Sequence, residues 1–304
     1  MPHSRPLYGF FLALLTSVLW GVLPIFLKIC LEIMDSVTIT AYRFLVAGVF
    51  IFTVLVASKQ LPAKALLDKR ALGLIVLTTV MLVVNYTTNV ISLSYLNPET
   101  VQVVMQLAPF LLMLGGVFIF KERFSTVQTW GAGILLFGMI LFFNQRLSSL
   151  ATSTTESPIG LFIVVFAATT WAIYALAQKP LLTRFSAKQL TLFIYVLGFS
   201  ILVPVSDFAV ISQMQPGHLW ALLFCCVNTI IGYGAFTQAM HVWSASKVSA
   251  VIATGPIFTY LAMAVAIEVS PERFMHSEMD QWAYAGAVLV ISGSILCSLG
   301  KKSA

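Results

Sequence analysis

The chain has 304 residues, of which 59% are apolar and only 9% charged; a soluble domain carries roughly a quarter charged residues, so this chain cannot cover itself with polar surface and lipid must solvate it. Its net charge of +6 comes from basic residues spread thinly between apolar runs, with no basic stripe, which excludes a nucleic-acid surface. Ten spans of about 20 residues use about 200 positions and leave no room for a soluble catalytic domain.

Apolar runs fall at about 8–30, 37–57, 71–93, 97–119, 125–143, 158–178, 188–206, 219–241, 245–267 and 280–299. The expected fold is an all-α integral membrane protein with ten transmembrane helices. The first run follows His3 and Arg5 and begins like a secretory signal. No small-residue cleavage site follows it, and it continues through Pro24 to Cys30, so it reads as a first span. Trp20 lies about 18 Å along that helix, deeper than an interfacial aromatic belt requires. In the second run Arg43 is the one charge clearly inside a span, about 9 Å from the nearer end. It either snorkels outward or faces a cavity and binds a carboxylate or phosphate. Lys28 and Lys179, at span ends, are expected to snorkel.

The third run carries Asn85, Tyr86, Thr88 and Asn89. Asn85 and Asn89 are spaced i, i+4 and share a face that cannot sensibly meet lipid; they line a cavity or bond across helices. Gln102 and Gln106 repeat the spacing in the fourth run, just before Pro109. Pro109 and, in the ninth run, Pro256 fall near mid-span, where a proline removes a backbone hydrogen bond and kinks the helix. The freed carbonyl must then face protein or a water-filled cavity. Pro24 in the first run is a third such position.

A Ser/Thr-rich stretch at 145–157 reads as a linker between a first unit, 1–144, and a second, 158–304. The second unit offers Trp171 and Tyr174 in its first run, Tyr195 as a lesser candidate, and Tyr233, Gln238 and Thr254 further on. Trp20, Trp171 and Tyr174 either stack on a planar or apolar solute or simply pack. His218 and His241 lie near span ends and are weak candidates for a proton relay. Cys30, Cys225, Cys226 and Cys297 show no metal-ligand spacing and read as small apolar residues, so no metal or cofactor is expected.

Charge orients the spans. With the N-terminus in the cytoplasm, Arg5, Lys59, Lys64, Lys69, Arg70, Lys121, Arg123, Lys179, Arg184, Lys188, Lys247, Lys301 and Lys302 lie inside, and Arg146 and Arg273 outside. This bias implies that both termini are cytoplasmic. Segments also recur in order. Trp20-Gly21 through Lys28 matches Trp171-Ala172 through Lys179, and Tyr86 matches Tyr233. Ala108-Pro109 matches Gly255-Pro256, and Glu122-Arg123-Phe124 matches Glu272-Arg273-Phe274. The pattern G-A-x5-G occurs at Gly131 to Gly138 and again at Gly286 to Gly293. Five spans is an odd number, so the second unit enters the membrane upside down. Inverted repeats with a midplane site between them are a carrier architecture.

These paired segments resemble the drug/metabolite transporter superfamily, in particular its EamA-type branch with two EamA units. The resemblance implies a bacterial inner-membrane location. It also implies a central cavity lined by the first, third and fourth helices of each half, and frequent export of amphipathic metabolites. It does not specify the substrate.

No Asp or Glu sits well inside a span, which argues against cation export by proton antiport. The Glu-Arg pairs after the fourth and ninth spans read as helix-terminating loops or as contacts that lock one conformation. The glycine pairs read as a smooth stripe for close helix contact. The leading expectation is a secondary transporter exporting amino acids or related metabolites; the alternative is uptake of a planar vitamin such as riboflavin. A membrane enzyme lacks the carboxylate clusters that phospho-substrate chemistry needs, and a receptor or scaffold needs no inverted repeat.

Overall fold

The computed structural model describes residues 6–62, 68–96, 98–123, 125–144, 157–274 and 280–299. Nearly all of the expected linker lies outside the described residues, as do Arg5, Lys64, Arg146, Lys301 and Lys302 of the charge count. The first half comprises α1 (Pro6–Cys30), α2 (Ser36–Ala57), α3 (Lys69–Ser92), α4 (Pro98–Met105), α5 (Leu107–Phe118) and α6 (Thr126–Phe142). The second comprises α7 (Pro158–Leu181), α8 (Ala187–Leu202), α9 (Pro216–Asn228), α10 (Gly234–Val242), α11 (Ala245–Ile252), α12 (Gly255–Val269) and α13 (Gln281–Leu299). No strand occurs among the described residues.

Among the described residues eight helical stretches are long and apolar enough to cross a membrane. The fourth, eighth and ninth apolar runs each count once among them, although each is built from two helices. The fifth and tenth runs, at Thr126–Phe142 and Gln281–Cys297, are apolar but shorter. Ten full-length spans are therefore not what the helix lengths alone give.

Side-chain caps define several helix starts. Asp35 and Asp68 accept backbone N–H groups at the heads of α2 and α3, and Ser125 and Ser186 form capping boxes with Gln128 and Gln189. Asp68 also pairs with Arg184, and that hydrogen bond holds its carboxyl below the ordinary value. The six tryptophans divide by position. Trp130, Trp220 and Trp282 are 64–70% exposed near the starts of α6, α9 and α13, where an interfacial belt would lie. Trp20, Trp171 and Trp243 pack against the core.

The packing is reciprocal between the halves. The second helix of each unit meets its counterpart (α2 on α8), as does the last (α6 on α13) and the second piece of the fourth run with the first piece of the ninth (α5 on α11). The first helix of each unit packs on the third and fourth runs of the other: α1 on α10 and α12, α7 on α3, α4 and α5. At the α6–α13 contact the glycines are obligatory. A Cβ on Gly131 would lie 2.7 Å from the Cys297 nitrogen, and one on Gly138 would lie 2.7 Å from the Val290 nitrogen. A Cβ on Gly293 would lie 2.7 Å from the Gly131 carbonyl oxygen, and one on Gly286 would lie 2.6 Å from the Gly138 carbonyl oxygen. The expected smooth stripe is thus a backbone-to-backbone seam. Gln128 closes it by donating to the Cys297 carbonyl at 3.2 Å.

Candidate functional site

The prolines decide where the middle of the protein is open. Pro24 stays within a continuous α1. It has no N–H to give to the Trp20 carbonyl. The fourth and ninth runs are interrupted for one and two residues, Gln106 and Ala253-Thr254, that keep right-handed helical φ and ψ. Helix α4 ends at Met105 and α5 begins at Leu107; α11 ends at Ile252 and α12 begins at Gly255. Pro109 and Pro256 both stand in the first turn after the break, where a missing N–H costs least.

Side chains from other helices satisfy the carbonyls at these breaks and around them, as an apolar surrounding requires. The Ser17 hydroxyl contacts the Ile252 carbonyl oxygen, four residues before Pro256, at 3.3 Å. Ser249 donates to the Pro109 carbonyl. On α1, Leu19 accepts from Asn228 at 2.6 Å and Gly21 from Thr259 at 2.8 Å. Thr259 in turn accepts from Gln102 at 2.9 Å.

A cavity of about 90 Å³ lies against these breaks. A water needs at least about 10–15 Å³ on this measure, so the cavity is large enough to be wet. Its wall includes Trp20, Pro24, Arg43, Asn85, Tyr86, Asn89, Gln102, Gln106, Pro109, Trp171 and Tyr233, all expected from the sequence. Ser17, Leu27, Val101, Met105 and Gly255 also line it and were not singled out.

Five expected residues lie elsewhere: Tyr195 donates to the Thr229 carbonyl at 3.2 Å, Thr254 bonds Ser17 at 2.9 Å, and Tyr174, Gln238 and Pro256 are also outside the wall. Tyr174 is fully buried three residues along α7 from Trp171, with its ring 6.2 Å from Phe236 and its hydroxyl 3.4 Å from Gln178. Gln238 is half-buried on α10, turned about 140° around the helix from Tyr233. Pro256 is buried behind Gly255, which takes the lining position instead.

Arg43 is the surprise of the wall. It does not snorkel: it is 2% exposed. Its Nε donates to Thr229 Oγ1 at 2.9 Å, and its guanidinium carbon lies 4.2 Å above the centre of the Tyr86 ring. No carboxylate pairs with it among the described residues. Burying an unpaired ion costs several kcal/mol, of which a desolvated cation–π contact returns about 2 kcal/mol. Thr229 opens a π-helical turn, Thr229–Tyr233, inserted between α9 and α10. Such turns gather at functional sites. The only sequence signal for it was the Gly232-Tyr233-Gly234 triplet inside an apolar run.

From Arg43 an aromatic column crosses to the other half. Tyr86 lies 4.9 Å from Tyr233, Tyr233 4.5 Å from Trp20, and Trp20 5.6 Å from Trp171 in an edge-on contact. Three buried polar atoms on wall residues find no hydrogen-bond partner: the Trp20 indole nitrogen, the Tyr86 hydroxyl and the Gln106 side-chain oxygen. Asn85 is tied to the Ala167 carbonyl at 2.9 Å and anchors α3 to α7 as well as lining the cavity.

Away from the cavity, charged groups bridge the halves at both ends. Lys121 has a left-handed φ of 52° and turns the chain after α5. Glu122 then accepts from the backbone N–H groups of Ala245 and Ser246 at 2.9 and 3.1 Å, capping α11. It therefore does more than terminate a helix. Lys179 donates to the carbonyls of Met240 and Trp243 at the end of α10 and does not snorkel. At the opposite ends of the helices Glu32 contacts His218 at 3.0 Å and Arg273 at 3.5 Å. Among the described residues no group of three or more His, Cys, Asp or Glu is placed to hold a metal ion.

Comparison with known proteins gives a consistent answer. The sequence model of the EamA-like transporter family matches residues 7–144 and again 158–299. The chain is 38% identical to a Haemophilus influenzae protein named "Uncharacterized transporter", over 98% of this chain and 97% of that one. It is 37% identical to the Escherichia coli "Uncharacterized inner membrane transporter YhbE", over 97% and 92%. At 23% identity, over 96% and 95%, it is similar to an E. coli protein named "Probable amino-acid metabolite efflux pump". A solved crystal structure superposes with a TM-score of 0.68 over 95% of both chains at 14% identity, which shows a shared fold.

Proposed function

The chain belongs to the EamA-like transporter family, and from that premise we propose that it is a secondary carrier exporting amino acids or related metabolites across a bacterial inner membrane. It is a multi-pass membrane protein, and its relatives are named as transporters. The proposal adds the mechanism: ten spans in two inverted five-helix units, 1–144 and 158–304, alternate access to a site between them. The single observation that carries it is the central cavity walled by both halves at their broken helices. Reciprocal packing of the halves supports the inverted arrangement. The lysine and arginine bias supports cytoplasmic termini. A family relative named for amino-acid metabolite efflux supports the direction and class.

In the proposed cycle Glu122 with α11 closes one end, and Glu32 with His218 and Arg273 closes the other. Breaking one set while keeping the other exposes the site to one side at a time. Purified protein in sealed vesicles is expected to exchange a labelled amino acid or derivative against the same solute inside. If no member of an amino-acid, acyl-amino-acid and vitamin panel exchanges, the carrier reading fails. If only a vitamin exchanges, the substrate assignment fails and the carrier reading stands.

A further inference from the structure

We infer that the cavity selects its solute by charge, taking a small organic anion with one carboxylate and an apolar or aromatic body, in preference to a zwitterion or an amine. The inference rests on the carrier reading for its physiological meaning and narrows the proposed solute from amino acids to related metabolites that carry no ammonium group, though the selectivity is a binding property in its own right.

Among the described residues Arg43 is the one charged residue in the wall, and no described Asp or Glu lines it. An amino acid would find a partner for its carboxylate but, among the described wall residues, only neutral side chains such as Asn89 and Gln102 for its ammonium. An amine would meet a buried cation with no compensating charge. A monoanion neutralises the guanidinium inside a low-dielectric surrounding, where the alternative is an uncompensated buried charge on the protein.

The guanidinium is also aimed. Thr229, at the head of the π-helical turn, holds Nε at 2.9 Å, and the Tyr86 ring supports the flat face at 4.2 Å. With Nε occupied, the terminal N–H groups are those left to bind a carboxylate. The column of Tyr86, Tyr233, Trp20 and Trp171 places apolar ring surface next to the cation. That surface separates an organic carboxylate from inorganic phosphate, which offers nothing to stack. N-acylated amino acids, 2-oxo acids and aromatic acids all have the required chemistry.

The test uses full-length protein in detergent and pairs of near-isosteric probes: benzoate against benzamide, and N-acetyl-phenylalanine against its amide, with phenylalanine and inorganic phosphate alongside. Binding is read by calorimetry. At least one carboxylate is expected to bind about tenfold or more tighter than its amide, with phenylalanine between them and phosphate weaker than both acids. Arg43→Gln is expected to bring the ratio close to one, and Arg43→Lys to keep part of it. Equal binding within both pairs, no carboxylate binding, phosphate binding as tight as the acids, or a preference that survives Arg43→Gln would each overturn the inference. If Arg43→Gln does not fold, the wild-type ratio and Arg43→Lys still decide. Counterflow in vesicles separates the two readings. Carboxylates that bind but are not transported sink the carrier reading and leave charge selection intact. Acid and amide transported equally well leave the carrier and remove the selection.

Discussion

The two halves of the molecule share a frame and divide the labour of the site. The first half supplies the polar wall: Arg43, Asn85, Asn89, Gln102 and Gln106. The second supplies ring surface from Trp171 and Tyr233, together with the Thr229 hydroxyl that fixes Arg43. Where the halves must touch each other closely they have stayed alike, as in the glycines of the α6–α13 seam. Around the cavity they have diverged. The frame tolerates only small residues at its contacts, because a Cβ there meets backbone. The cavity wall faces space and is free to specialise.

That contrast makes predictions of graded size. The largest effect is expected at the seam. Gly286→Leu places a side chain against the backbone of Gly138 and Phe142. Overpacking of this kind costs about 1–3 kcal/mol or more when backbone must move, so folded protein recovered from membranes should fall severalfold, measured by fluorescence-detected size exclusion. Normal recovery would show that the two helices slide apart freely.

Next is Trp20→Ala, which removes the centre of the aromatic column. Transport by the purified protein is expected to fall about tenfold or more, with recovery near wild type. If Trp171→Ala has the same effect, both halves contribute ring surface equally. A smaller loss there would sharpen the asymmetry, since Trp171 meets Trp20 edge-on and lies further from Arg43 along the column.

Asn89→Ala should act more weakly. Asn89 lines the cavity, whereas Asn85 also bonds the Ala167 carbonyl between the halves. Asn89→Ala is therefore expected to weaken binding by a few-fold without loss of thermal stability, and Asn85→Ala to lower both. Equal thermal effects would show that the two amides are interchangeable.

The smallest effect belongs to the Asp68–Arg184 pair, which lies on the surface away from the cavity. Its carboxyl value is lowered in the folded protein. Its contribution is therefore present above the ordinary carboxylate value and is lost as the pH falls through the folded one. Asp68→Asn should shift the melting temperature by less than about 2 °C at pH 7 and 0.1 M salt, because exposed pairs contribute little. The difference between variant and wild type should shrink as the pH falls through the folded value. A difference that grows on acidification would contradict the sign.

Much of the site was legible in the sequence because lipid makes polar residues conspicuous. An amide or an arginine inside an apolar run has few places to go, and the i, i+4 spacing of Asn85 with Asn89 and Gln102 with Gln106 fixed a common face. Tyr174 and Gln238 show the limit of that logic. A ring three residues from Trp171 on the same helix is equally apolar and equally deep, and only the packing of Tyr233 and Phe236 put it behind the wall. The prolines were visible, but periodicity does not tell a kink from a break. Nor does it show which hydroxyl reaches a freed carbonyl: Ser17, more than two hundred positions away, contacts that of Ile252.

By itself, then, the sequence determined an all-helical membrane protein of two related halves, with its polar groups gathered in a few runs, because composition and period alone decide what lipid will accept. Tertiary structure decided which of those groups converge. It closed the α6–α13 seam through glycine, latched Glu122 onto α11, and inserted a π-helical turn that brings Thr229 to Arg43. Each of these depends on contacts between residues more than a hundred positions apart, and no local pattern carries that distance.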